Sequence, residues 1–234
     1  ANRLFNKIDE LYCLVGSEHF DVISITETWL KPEVPDDPYQ LADFTIFRKD
    51  RTDRIGGGVL CYIRACHNPK AIVPIPGTRD DFELLWIVLR PFKLPRPFSV
   101  IVVAVLYCPP WYNSQTKKLL ANHITACIDA LNAKFSHPGF LITGDFNSLA
   151  TNFFSSRLHL RQVVKGHTRG NKILDNIFTN LADCYAVADI IAPLGRSDHN
   201  CVILRPTSKA HVPVGHRVVN HRSFTATAYD NIAR

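Results

Sequence analysis

Six polar residues of this chain have types and settings that suit chemistry at phosphorus: Glu27, Asp145, Asn147, Asp175 and the adjacent pair Asp198 and His199. Each lies beside a short apolar, β-rich run. Taken singly they are ordinary, since a glutamate after a strand is usually solvated, Gly-Asp-Phe-Asn is usually a turn and Asp-His is usually surface. Together they gain weight, because strand ends in layered α/β folds converge on one rim and would bring all six to a common pocket. Carboxylates without cysteine partners are hard oxygen donors, suited to Mg²⁺ or Mn²⁺ rather than zinc. A histidine set against a carboxylate is fixed in tautomer and serves as a base or as a stabiliser of developing charge, and Asp175 with His199 is the pair expected to do so. No Walker loop, G-x-S-x-G elbow or H-E-x-x-H helix occurs, so triphosphatase, serine esterase and zinc protease readings lose support. Metal-assisted phosphodiester hydrolysis is left in front.

Such a pocket needs strands that end at those residues. Leu4, Ile8, Leu11, Tyr12 and Val15 recur at helical spacing up to Gly16, which predicts a helix over 4–16. A β-rich run over 21–26 leads straight into Glu27, after which Pro32, Pro35 and Pro38 end regular structure. Residues 44–48 and 58–64 predict a hairpin around Gly56-Gly57-Gly58, and 82–89 and 98–107 two more strands. Helical periodicity over 114–135 predicts one long helix. A short strand at 140–143 runs into Gly144-Asp145-Phe146-Asn147, and further strands are predicted at 174–179, 186–191 and 201–204. From 206 the apolar periodicity thins, so the reading is a domain over 1–205 and an extension over 206–234.

The 234 residues, 46% hydrophobic and 21% charged, describe one large or two small well-cored domains and exclude disorder, collagen and coiled coil. The longest apolar run, around 100–106, falls far short of the roughly 18 residues of a membrane-spanning helix. Seven cysteines without a CxxC pair suggest neither a disulfide framework nor a zinc knuckle and fit a reducing compartment. The start at Ala1, without Met or an apolar leader, is expected of a piece of something longer. Residues 1–149 carry 16 cations and 16 anions, so the whole formal +6 belongs to residues 150–234 and marks the side expected to attract polyanions. The mixed cluster from Arg48 to Arg54 beside three glycines reads as a hairpin tip rather than a phosphate cradle.

Six segments now fall in one order: Ile25-Thr26-Glu27-Thr28-Trp29-Leu30, Gly56-Gly57-Gly58-Val59, Leu106-Tyr107-Cys108-Pro109-Pro110, Ile142-Thr143-Gly144-Asp145-Phe146-Asn147, the run from Thr168 through Asp175 to Asn180, and Ser197-Asp198-His199. In that order they resemble the endonuclease/exonuclease/phosphatase superfamily. More closely they resemble the apurinic-like endonuclease domain of non-LTR (LINE-type) retrotransposons, over roughly residues 4–205. The resemblance implies an α/β fold of four layers, a DNase I-like sandwich of two mostly antiparallel mixed sheets flanked by helices. It implies that Glu27 binds the divalent metal, Mg²⁺ or alternatively Mn²⁺, with Asp198 as an acidic metal or leaving-group partner. Asp145 would orient or deprotonate the attacking water, Asn147 position the phosphate or nucleophile, Tyr107 contact that phosphate through its hydroxyl, and Asp175 orient His199. Thr168, Arg169 and Ser197 are expected near DNA phosphates, and so is Arg51 at the hairpin tip.

By the same resemblance the partner is double-stranded DNA, one strand of which is nicked so that the freed 3′ hydroxyl primes reverse transcription. A reverse transcriptase domain of the same polyprotein would follow, with the tail from Arg217 to Phe224 resembling the start of that connection. The expectation is a monomer that needs no membrane and acts in the nucleus. A host apurinic/apyrimidinic repair endonuclease is the nearest alternative, and a non-catalytic DNA-binding remnant another. The family's opening strand ends in an Asn just before the first helix, whereas this chain starts almost within the helix, so Asn2 is not given that role. Asn176 also departs from the apolar residue common there. Trp29 and Trp86 are expected to pack, His19, His67 and His123 to be ordinary, and Trp111 either to approach substrate or to cover the rim.

Overall fold

The computed structural model describes residues 3–75 and 81–207. In chain order the elements are α1 (Ile8–Ser17), β1 (Val22–Thr26), β2 (Phe44–Lys49), β3 (Val59–Arg64), β4 (Lys70–Ala71), β5 (Glu83–Leu89), β6 (Val100–Tyr107), α2 (Ser114–Lys134), β7 (Pro138–Asp145), α3 (Asn152–Ser156), β8 (Arg161–Gln162), β9 (Asp175–Thr179), β10 (Asp189–Ile191) and β11 (Cys201–Ile203). A six-stranded sheet in the order β4-β5-β6-β7-β9-β8 faces a three-stranded sheet β1-β3-β2, with β10 and β11 forming a separate pair. Among the described residues only β6 and β7 run parallel; the other ladders are antiparallel.

The layers follow from alternation along the strands. All eight residues of β6 are buried. Val100, Val102, Ala104 and Leu106 point at α2, meeting its stripe Leu120, Ile124, Cys127, Ile128 and Leu131. Ile101, Val103, Val105 and Tyr107 point the other way, into a core shared with Val59, Cys61 and Ile63 of β3. The intervening β3 residues, Leu60 and Tyr62, then face outward and pack with Leu4 and Leu11 of the first helical segment. Helix, sheet, sheet and helix are thereby stacked through three apolar seams, the four-layer α/β arrangement expected of the sequence. The smaller layer is divided, because β11 lies across a cavity of about 700 Å³ from β1 rather than pairing with it.

Several boundaries differ from the periodicity. The first helical segment opens as a 3₁₀ turn over Leu4–Lys7 and continues through Gly16 to Ser17, where the Glu18 N–H closes on the Leu14 carbonyl. β7 extends over the predicted 140–143 in both directions because its parallel ladder with β6 runs unbroken from Val100 and Pro138 to Tyr107 and Asp145. α2 begins where expected, with the Asn113 side chain accepting the Thr116 N–H at 2.8 Å. Asn2, which is given no role, and, from residue 208, the extension with its Arg217 to Phe224 segment lie outside the described residues.

Candidate active site

Three of the expected residues share a single rung of the large sheet. Tyr107 is opposite Asp145 in the β6–β7 ladder, and Asp145 is opposite Asp175 in the β7–β9 ladder. Tyr107 belongs to the seam between the sheets, which places this rung at the rim where the two sheets meet. Gly144, at φ 137°, lets β7 approach β6 so closely that a Cβ there would stand 1.9 Å from the Leu106 carbonyl oxygen. Just beyond the strand, the Asn147 N–H donates to Asp145 Oδ1 at 3.0 Å and its side-chain amide to Oδ2 at 2.9 Å and to the Cys108 carbonyl at 3.0 Å. Asn147 adopts φ 45°, a left-handed conformation that asparagine tolerates better than most residues.

Glu27 reaches the same rim from the other sheet. It ends β1 with φ 53°, and its neighbourhood is laced down: its carbonyl accepts the Arg3 N–H at 3.2 Å, and the Thr28 and Trp29 N–H groups donate to Gly58 and Gly57 at 3.3 and 2.9 Å. The Tyr107 hydroxyl donates a short hydrogen bond to Glu27 Oε1. Burial, that bond and the charges of Glu27 and Asp145 all raise the Tyr107 pKa, so the phenol stays protonated.

His199 arrives on the turn before β11. Its Nδ1 lies 2.7 Å from Asp175 Oδ2, which leaves Nε2 as the ring nitrogen able to meet a substrate. The turn is set by Ser197, whose hydroxyl accepts the His199 N–H at 3.3 Å, and by the Asn200 N–H donating to the Thr168 carbonyl at 2.7 Å. Ligand atoms of Asp145, Asp175 and His199 all lie within 4.8 Å of one another. Asp145 is only 4% exposed. Burial, then the Asp175 charge and more weakly Glu27, push its carboxyl up to about 7 against the opposing pull of His199 and the Asn147 N–H. Burial draws the His199 pKa down, but the bond to Asp175 and the charges of Asp175, Asp145 and Asp198 outweigh it and the net direction is up. This is a cluster with more negative charge than its own cations balance, built of hard donors, and a divalent cation of the Mg²⁺ or Mn²⁺ type fits it.

The remaining expected contacts are placed differently. Thr168 is fully buried and its hydroxyl accepts the N–H groups of Leu174 and Asp175 at 2.9 and 3.0 Å, so it holds the approach to β9 and cannot touch a phosphate. Asp198 and Arg169 pair with each other at 2.5 Å on the surface, outside the triad of Asp145, Asp175 and His199. Arg51 is not a solvated hairpin tip: its side chain is 6% exposed and ion-paired with Glu83, whose other oxygen accepts the Gly58 N–H. Gly57, with φ 72°, admits that pair, since a Cβ there would lie 2.3 Å from the Arg51 guanidinium. Asn176 is buried, and its side-chain carbonyl accepts from Gln162 at 2.5 Å.

Sequence reasoning missed Lys7, which is buried beside the site: burial lowers its pKa against the charges of Glu10, Asp198 and Glu27. A lysine on a predicted amphipathic helix reads as solvent-facing, so nothing in the spacing marked it. Glu83 was equally invisible, a charge at the start of a strand whose partner lies 32 residues away.

No protein-family model and no curated protein sequence matches the chain. Solved structures do. The Neisseria 3′ phosphatase NExo bound to a product DNA hairpin superposes with TM-score 0.64 at 15% identity, covering 88% of this chain and 96% of that one. AP endonuclease LMAP from Leishmania major gives 0.64 at 14%, covering 85% and 83%. An AP endonuclease from Archaeoglobus fulgidus gives 0.62 at 11%, covering 88% and 96%. At such identities the likeness establishes the fold, that of DNase I-like AP endonucleases.

Proposed function

We propose that the chain is a divalent-metal-dependent DNA endonuclease that nicks one strand by phosphodiester hydrolysis, leaving a 3′ hydroxyl able to prime reverse transcription of a non-LTR retroelement. The observation that carries this reading is the convergence of Asp145, Asp175 and His199 within 4.8 Å, beside Asn147 and the Glu27–Tyr107 pair. Asp145 and Asp175, with Glu27 next to them, would hold the cation, which when bound polarises a phosphate oxygen and neutralises charge in the displacement. Asp145 and Asn147 orient the attacking water. His199, fixed through Nδ1 by Asp175, presents Nε2 to the phosphate and stabilises charge on its oxygens. Tyr107 holds Glu27 and keeps its hydroxyl proton at the rim. Support for DNA as substrate comes from the neighbours, whose names describe AP endonucleases and a DNA-bound 3′ phosphatase. The retroelement setting, the reverse transcriptase beyond the 206–234 extension, the monomeric state and nuclear action rest on the order of the sequence motifs.

The test is relaxation of supercoiled plasmid by the 234-residue chain. Open-circular product is expected with Mg²⁺, none with EDTA, and at least a hundred-fold less with Asp145→Ala. Nicking unchanged by Asp145→Ala would remove the mechanism. The AP endonuclease neighbours favour a second reading, abasic-site cleavage. It replaces the first if depurinated plasmid is cut and intact plasmid is not.

A further inference from the structure

Trp111 lies in the short loop between β6 and α2, four residues after Tyr107, and is 49% exposed. Two guanidinium groups lie against its ring: Arg51 at 4.9 Å from the centroid and Arg54 at 5.3 Å. The first is no ordinary surface cation. Arg51 is buried and ion-paired with Glu83, its Nη1 has no hydrogen-bond partner among the described residues, and it also sits 5.7 Å over the Tyr107 ring. The indole is thus backed by a fixed charge that also backs the tyrosine holding Glu27. The loop itself is stiff: Pro109 and Pro110 precede Trp111, the Tyr112 N–H closes a turn on the Pro109 carbonyl at 3.2 Å, and Asn113 caps α2.

A large indole held rigid, half exposed and beside a catalytic rim loses little entropy when a flat π-system settles on it. Resting on the endonuclease reading above, we infer that Trp111 is a stacking platform for one nucleobase of the DNA, next to the scissile phosphate, with the buried Arg51 fixing its orientation and the exposed Arg54, whose guanidinium also lies over the ring, giving way to the base and pairing with its phosphate. A base is the ligand the geometry favours, because a half-exposed aromatic ring accompanied by cations suits the π-face of any base. Such a platform would favour targets in which a base unstacks easily, as at flexible pyrimidine–purine steps.

The experiment measures binding of a fluorescein-labelled duplex containing one unpaired base to the full chain in EDTA, so that no cleavage is needed. Wild type, Trp111→Phe and Trp111→Leu are compared, with thermal unfolding of each. Leu should weaken binding about ten-fold and Phe much less, at unchanged melting temperature. The salt dependence of binding should be the same for Leu and wild type, since stacking releases no counterions, whereas Arg54→Ala should flatten it. Wild-type affinity in Trp111→Leu, or a loss shared equally by Phe and Leu, would overturn the platform. Binding without Mg²⁺-dependent nicking would sink the endonuclease reading while leaving Trp111 to its own readout. No binding by wild type would overturn the platform, while the plasmid assay with Mg²⁺ decides the endonuclease reading separately.

Discussion

Asp145 carries the most informative charge in the protein. With its carboxyl pushed up to about 7 by burial and then by Asp175, it is largely protonated below neutral pH in the metal-free protein. A cation must displace that proton, so apparent Mg²⁺ affinity should fall by roughly ten-fold per pH unit below 7 and level off above it. Titration calorimetry at pH 6 and pH 8 reads the difference, and equal affinities would show that Asp145 is not a ligand. Glu83 gives a stability prediction. Glu83→Ala leaves Arg51 buried without its counter-charge and should cost about 3–5 kcal/mol in urea unfolding; an unchanged midpoint would mean that the pair is open to water. Residue types pointed to Asp145, Asn147, Asp175 and His199 only jointly, since each alone is ordinary at a strand end, and the structure brings the four together. They could not separate a hydroxyl that meets substrate from one that caps backbone, which is why Thr168 was placed at the phosphate when it holds Leu174 and Asp175. Nor could they foresee that Asp198 and Arg169 occupy each other.

At the scale of elements, β6 and α2 were legible because a wholly buried run and a long apolar stripe each have one reading. β8, two residues long, and the five-residue α3 carry too short a pattern to show periodicity. The length of β7 was hidden for another reason, since its last residues are defined by the parallel partner rather than by their own composition. Gly144 is the weak point of that pairing. Gly144→Ala sets a Cβ against the β6 backbone and should cost about 3 kcal/mol or more, seen as a lowered urea midpoint and as lost nicking. Retention of both would mean that β6 and β7 separate easily at their ends. The turn bearing His199 is tied to Thr168 behind it, and the far end of β11 is tied to the end of α1 through the paired Arg205 and Glu18 at 3.1 and 3.2 Å.

For the whole molecule, the layered order could be anticipated from alternation, whereas the split of the smaller layer into two pieces could not, because strand neighbours far apart in sequence leave no local mark. The far seam, between the large sheet and α2, is remote from the rim in its chemistry. Ile124→Ala should therefore cost about 2–5 kcal/mol by calorimetry or urea, yet leave nicking per folded molecule unchanged well below the melting temperature; a parallel fall in turnover would show that α2 packing controls the site. The rung shared by Tyr107, Asp145 and Asp175 reaches further. Successive side chains on a strand point to opposite faces, so a slip of β7 by one residue would turn Asp145 from the seam between the sheets toward α2. A chain folded in the wrong register would keep much of its secondary structure and lose its chemistry altogether. On the endonuclease reading, activity per milligram would then count correctly aligned sheets, which circular dichroism does not distinguish.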